Sequence, residues 1–151
     1  VGHAPTTIHK GTKAILTELY PYQQAGTITV DIITDVPWHQ CQERKAQCHI
    51  FIDQYTIHDP NPEIAKRGAI GVNAIESLYY GSIVLANPLH PYLTHHYPTL
   101  PPIFPFLDEL DDAINKPHAY NKDHFIRWAK DYFDISTQAP KLKELIQWIS
   151  S

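Results

Sequence analysis

Residues 68–88 read GAIGVNAIESLYYGSIVLANP, and this stretch decides the fold. Ile70, Ala74, Ile75 and Leu78 recur at helical spacing, which predicts a helix beginning at Gly71. Gly81 supplies the left-handed turn that ends it, and Ile83, Val84 and Leu85 follow as a short apolar run suited to a strand buried on both faces. Glu76 is the one carboxylate inside this helix and stands among apolar neighbours. A helix that starts at Gly71 aims free backbone N–H groups and the positive end of its dipole at whatever lies in front of it, a natural seat for phosphate.

The chain on either side repeats the alternation of strand and helix. Upstream, residues 1–5 predict a first strand and 6–11 a polar loop. Thr12 then caps a helix with the apolar stripe Ile15, Leu16, Leu19 and Tyr20, which Pro21 and Gly26 break. TITVDIIT (27–34) is β-branched throughout and predicts the second strand. A turn at Asp35–Trp38 leads into a polar helix through Gln42, Glu43, Arg44 and Ala46, and CHIFID (48–53) is the third strand. Residues 55–67, with Pro60 and Pro62, form a loop. Downstream, 87–105 is too rich in proline to be regular, yet apolar enough to pack down. A short strand is expected at 103–106, and helices at 107–116, 121–133 and 140–149. Near-continuous apolar strands alternating with helices imply a parallel sheet covered on both faces, so the fold class is α/β: a Rossmann-like three-layer α/β/α domain with a mainly parallel sheet, spanning 1–151 as one domain. Ligands of such sheets bind at the carboxyl ends of the strands, where the strand order reverses.

Composition narrows the function. With 12 Lys+Arg against 16 Asp+Glu the net charge is −4, so there is no basic excess to hold a nucleic-acid backbone and no nucleic-acid partner is expected. No apolar stretch approaches the roughly 20 residues of a membrane span, and no signal peptide is visible at the start, so the expected location is cytoplasmic. Cys41 and Cys48 read as reduced thiols rather than a disulfide framework. The ten histidines, His95 and His96 included, show no ligand spacing completed by carboxylate or cysteine, and no metal is expected. Trp38, Trp128 and Trp148 read as packing residues, and Asp53, at a strand end, either as a catalytic carboxylate or, as the pattern favours, as one that orders the following loop. No GxGxxG or Walker A sequence is present. The lack of any methionine, with a strand already under way at residue 1, suggests a fragment of a longer chain.

Taken in order, HAPT and KGT near the start, VPW after the second strand, HIFIDQ at the third and the 68–88 stretch together resemble the C-terminal, donor-binding half of GT-B glycosyltransferases of the retaining, glycogen-synthase-like group. The resemblance covers nearly the whole chain. It implies a hexosyltransferase-type enzyme that binds a nucleotide-activated sugar such as a UDP- or GDP-hexose without cofactor or metal. It implies donor-binding roles for Thr6, Lys10, Gly11, Val36, Pro37, Gly71, Val72 and Glu76. Lys10 would meet the diphosphate and stabilise the charge of the leaving group. Gly71 and Val72 would present N–H groups to the same diphosphate. Val36 and Pro37 would lie along the base, and Glu76 would accept the ribose hydroxyls.

The sequence departs from the pattern at two places. Gly68 stands where the family often has a second glutamate, which would contact the donor sugar, and the basic residue the family usually carries shortly before that lysine is absent unless a histidine is protonated, a place that Lys66 or Arg67 could take from the opposite side. The family's acceptor site belongs to an N-terminal Rossmann domain, so the resemblance implies such a domain, or a subunit, as partner and no transfer by this domain alone. Two other readings stand beside it: a catalytically silent Rossmann module that serves protein or carbohydrate contact, and an unrelated small α/β enzyme such as an epimerase. No catalytic residue is assigned.

Overall fold

The computed structural model describes residues 1–5, 10–57, 61, 70–89, 93, 97, 99–134, 136 and 138–140. Five strands, β1 (Gly2–His3), β2 (Asp31–Ile32), β3 (Ile50–Ile52), β4 (Ile83–Ala86) and β5 (Ile103–Pro105), form one sheet in the order β2-β1-β3-β4-β5. All four pairings are parallel: His3 faces Ile32 on one side and Ile52 on the other, Phe51 faces Val84, and Leu85 faces Phe104. Among the described residues, the helices that flank the sheet are α1 (Thr12–Gln24), α2 (Trp38–Ala46), α3 (Val72–Tyr79), α4 (Phe106–Asn115) and α5 (Lys122–Phe133). The protein thus has the Rossmann-like three-layer α/β/α architecture.

The order of the strands dictates the layers. From β1 the chain steps outward to β2, then returns past β1 to β3 and continues to β4. Right-handed crossovers therefore put α1 on one face and α2 and α3 on the other. Tyr22 of α1 reaches Asp111 of α4 (3.1 Å), while Tyr80, just after α3, reaches Gln42 of α2 (3.0 Å). Helix α5 packs on α3, with Ile126 against Gly81. The core lies between these layers: Phe51, Ile52, Ile83, Val84 and Leu85 on the strands, Ile15 and Leu19 from α1, Ala74 and Leu78 from α3, and Trp128 from α5. All four residues of β4 are buried, as a strand covered on both faces requires.

Helix α3 ends as the sequence predicts. Gly81 has φ +74°, its amide bonds the Leu78 carbonyl (3.0 Å) and the Ser82 amide bonds the Ser77 carbonyl (3.0 Å). These two bonds close the last turn and leave the chain aimed into β4.

Four expectations are corrected. The predicted strands at 1–5, 27–34 and 48–53 pair in register over only two or three residues, and cross-strand bonds reach one residue further, from Ile33 to the His3 carbonyl (2.8 Å) and from Asp53 to the Leu85 carbonyl (3.0 Å), because only that stretch of each segment runs alongside a partner strand. Helix α1 runs on through Pro21 to Gln24, since a proline there removes a single bond while its own carbonyl still accepts from Ala25 (3.0 Å). Thr12 is not the cap of α1: Gly11 is, without a side-chain bond. Trp38 is not a packing residue, being 73% exposed at the start of α2, whose inward face is taken by Gln42 and Lys45. Most of the loop at 55–67 and of the helix at 140–149 lies outside the described residues, as do His95, His96 and Trp148. Cys41 and Cys48 are free thiols. Among the described residues no helix is long and apolar enough to cross a membrane.

Candidate functional site at the carboxyl ends of β1 and β3

In the order 2-1-3-4-5 the direction of winding reverses between β1 and β3, so the crevice of the sheet opens beyond His3 and Ile52. The chain places a compact polar group there. His3 is fully buried. Its Nδ1 donates to the Ile52 carbonyl (2.7 Å), because a carbonyl can only accept, and Nε2 is thereby left to accept the Thr12 hydroxyl (3.0 Å). One ring ties β1 to β3 and to the first residue of α1. Burial pulls the imidazole below its ordinary pKa against smaller upward pulls from the Ile52 carbonyl and Asp53, so the ring is neutral near pH 7.

Lys10 and Asp53 meet across this crevice. Lys10 Nζ donates to Asp53 Oδ1 at 2.6 Å, with the aspartate side chain fully enclosed and the lysine 13% exposed. The other oxygen, Oδ2, is buried without a hydrogen-bond partner among the described residues. It lies against Gly71, where any Cβ would overlap it. Gly11 is constrained as tightly. It has φ +74°, a Cβ there would overlap the Tyr55 carbonyl, and the Tyr55 amide bonds the Lys10 carbonyl (3.1 Å). The Lys-Gly pair is thus fixed by the segment that follows β3.

The start of α3 faces the same edge. Gly71 is its N-cap, with extended backbone and no side-chain cap, and the first bonds run from Ala74 and Ile75 to the Gly71 carbonyl (3.1 and 3.2 Å). The amides of Gly71, Val72 and Asn73 therefore lie ahead of the helical ladder. The Val72 side chain is 71% exposed.

Glu76 sits one turn further on and is not alone. The ammonium of Lys45, 1% exposed, bonds Glu76 Oε2 and also Asn73 Oδ1 (2.7 Å), and Asn73 Nδ2 donates to the Ala4 carbonyl at the end of β1 (2.9 Å). Lys45 is the residue that sequence reasoning missed. In the run QERKAQ it reads as one more solvated charge, and the only signal available was that Glu76 inside an apolar helix needs a partner. Val36 is half-buried and Pro37 exposed at the N-cap of α2, beyond the end of β2 on the same edge of the sheet. Thr6, Gly68, Lys66 and Arg67 lie outside the described residues.

Of the proposed donor-binding residues, then, Lys10, Gly11 and Gly71 come together at the ends of β1 and β3, with Val72 and Glu76 on the helix beside them. Asp53, His3 and Lys45 join them. Chemically the group offers two cations already paired, Lys10 with Asp53 and Lys45 with Glu76, a helix start with open amides, and two carboxylates each held by one oxygen. No known family's profile, no curated protein and no solved structure matches this chain.

Proposed function

We propose that this chain is the donor-binding domain of a GT-B glycosyltransferase of the retaining, glycogen-synthase-like group, taking a UDP- or GDP-hexose. The observation that carries this reading is that Asp53, at the point where the strand order reverses, holds the Lys10 ammonium with one oxygen and lies with the other against Gly71, the uncapped start of α3. Lys10 and the amides of Gly71 and Val72 take the diphosphate, Glu76 takes the ribose hydroxyls, and Val36 and Pro37 border the base. Transfer requires an acceptor-binding Rossmann domain, in the same natural chain or as a partner subunit.

One observation favours a second reading, a silent module of the same fold. Lys10 is neutralised by Asp53, and Glu76 by Lys45, so both charges that would meet a ligand already have internal partners. A diphosphate must compete with Asp53 for the ammonium. Titration of the chain with UDP, GDP, ADP and their sugar conjugates separates the two. Selective binding that is lost in Lys10→Ala and Glu76→Ala supports the donor site and identifies the base. Failure to bind any nucleotide at millimolar concentration favours the silent module.

A further inference from the structure

We propose that Lys45 is a positioning residue for Glu76, and that the crevice thereby distinguishes ribonucleotides from their 2′-deoxy counterparts. The inference rests on the donor-binding reading and names how its carboxylate is set. Lys45 comes from the last turn of α2 yet is almost wholly enclosed, with the Phe51 ring 5.9 Å from its nitrogen. A buried ammonium is a costly way to fill a core position that an aliphatic side chain would fill more favourably. Here it has two specific acceptors, Asn73 Oδ1 at 2.7 Å and Glu76 Oε2. The bond from Asn73 Nδ2 to the Ala4 carbonyl fixes which way that amide points, so its oxygen faces the lysine. A chain of three bonds therefore runs from the end of β1 to one oxygen of Glu76.

The other oxygen is the functional one. Glu76 keeps 23% of its side chain exposed, and it is Oε2 that Lys45 holds, which leaves Oε1 to a ligand. A carboxylate tied at Oε2 and open at Oε1 is a directed acceptor, suited to neutral hydroxyl donors rather than to phosphate. Untied, the side chain would spread over several rotamers and lose that direction.

The test is calorimetric titration with UDP and 2′-deoxy-UDP, and with GDP and 2′-deoxy-GDP, on the full chain and on Lys45→Arg, Lys45→Met and Lys45→Met/Glu76→Gln. The expected result is that the unaltered chain binds one ribonucleotide about tenfold more tightly than its deoxy form. Lys45→Met brings that ratio close to one while the deoxy affinity stays, adding Glu76→Gln changes nothing more, and Lys45→Arg keeps most of the preference. If Lys45→Met does not fold, Lys45→Gln replaces it in the same comparison. A ratio unchanged in Lys45→Met, or both affinities falling in proportion, makes Lys45 merely structural and overturns the inference. Ribo- and deoxynucleotides bound equally by the unaltered chain overturn it together with the ribose role of Glu76, while leaving the diphosphate seat at Lys10 and Gly71 standing. No binding of any nucleotide removes both.

Discussion

Asp53 and Gly71 are packed so closely that the Asp53 carboxylate occupies the space a side chain at position 71 would need. Gly71→Ala should therefore destabilise the fold by roughly 2 kcal/mol, through overpacking rather than backbone strain, since its φ of −80° suits any residue. Measured by urea unfolding, that cost should shrink by more than half in an Asp53→Ala background, where the colliding group is gone. Equal costs in the two backgrounds would mean that Asp53 is not what excludes a Cβ.

Gly11 carries two penalties and Gly26 only one. Both have positive φ, +74° and +71°, but a Cβ on Gly11 would overlap the Tyr55 carbonyl whereas one on Gly26 would meet nothing within 4 Å. Gly26→Ala should cost about 1 kcal/mol, the penalty of the left-handed conformation alone. Gly11→Ala should cost about 3 kcal/mol, the clash being added to it. Similar midpoint shifts for the two variants would contradict the close approach of Tyr55.

Removing Lys10 leaves an enclosed carboxylate with neither oxygen paired. Lys10→Met should lose about 3 kcal/mol of stability. Lys10→Met/Asp53→Asn should recover much of it, because no bare charge remains. A double variant no more stable than the single one would refute the pairing.

Folding should weaken as pH falls through the range in which histidine takes up a proton. Burial lowers the pKa of His3 in the folded chain below the ordinary value of about 6.5. Below that value the unfolded chain binds a proton that the folded chain refuses, so His3 contributes stability that is present above it and is lost progressively as the pH drops toward the folded value. Urea midpoints taken between pH 7.5 and 5 should fall more steeply for the unaltered chain than for His3→Gln. Parallel profiles would show that His3 titrates alike in both states.

Two tryptophans should behave oppositely. Trp128 is 2% exposed and its Nε1 donates to the Thr99 carbonyl (3.2 Å), so Trp128→Ala should cost about 4 kcal/mol. Trp38→Ala should change stability by less than about 0.5 kcal/mol. Acrylamide should quench the fluorescence lost in Trp38→Phe far more than the fluorescence lost in Trp128→Phe, and equal quenching of the two would contradict their difference in exposure.

The elements legible in the sequence are those fixed by local chemistry. The helix from Gly71, its stop at Gly81 and the buried strand behind it each follow from spacing and from glycine's freedom at positive φ, and they recur in the structure. So does the parallel sheet, because apolar runs without alternation must be covered twice. What was not legible depends on residues far apart in the chain. Lys10 and Asp53 are separated by 43 positions and Lys45 and Glu76 by 31, and no local pattern announces that such charges meet. Trp38 misleads for the complementary reason. An aromatic residue reads as core until the helix carrying it is docked, and docking turns Gln42 and Lys45 inward instead.

Tyr55 makes the crevice and the far layer one mechanical piece. Its amide holds the Lys10 carbonyl, its own carbonyl bars a side chain from Gly11, and its ring meets Phe106 at the head of α4 edge-on, 4.9 Å between centroids. Thr56 and Asn87 bolt the next strand end to the same piece through two reciprocal bonds of 2.9 and 2.7 Å. Lys10 thus stands on a braced abutment rather than on a swinging arm, whereas at the start of α3 Val72 stands mostly in solvent.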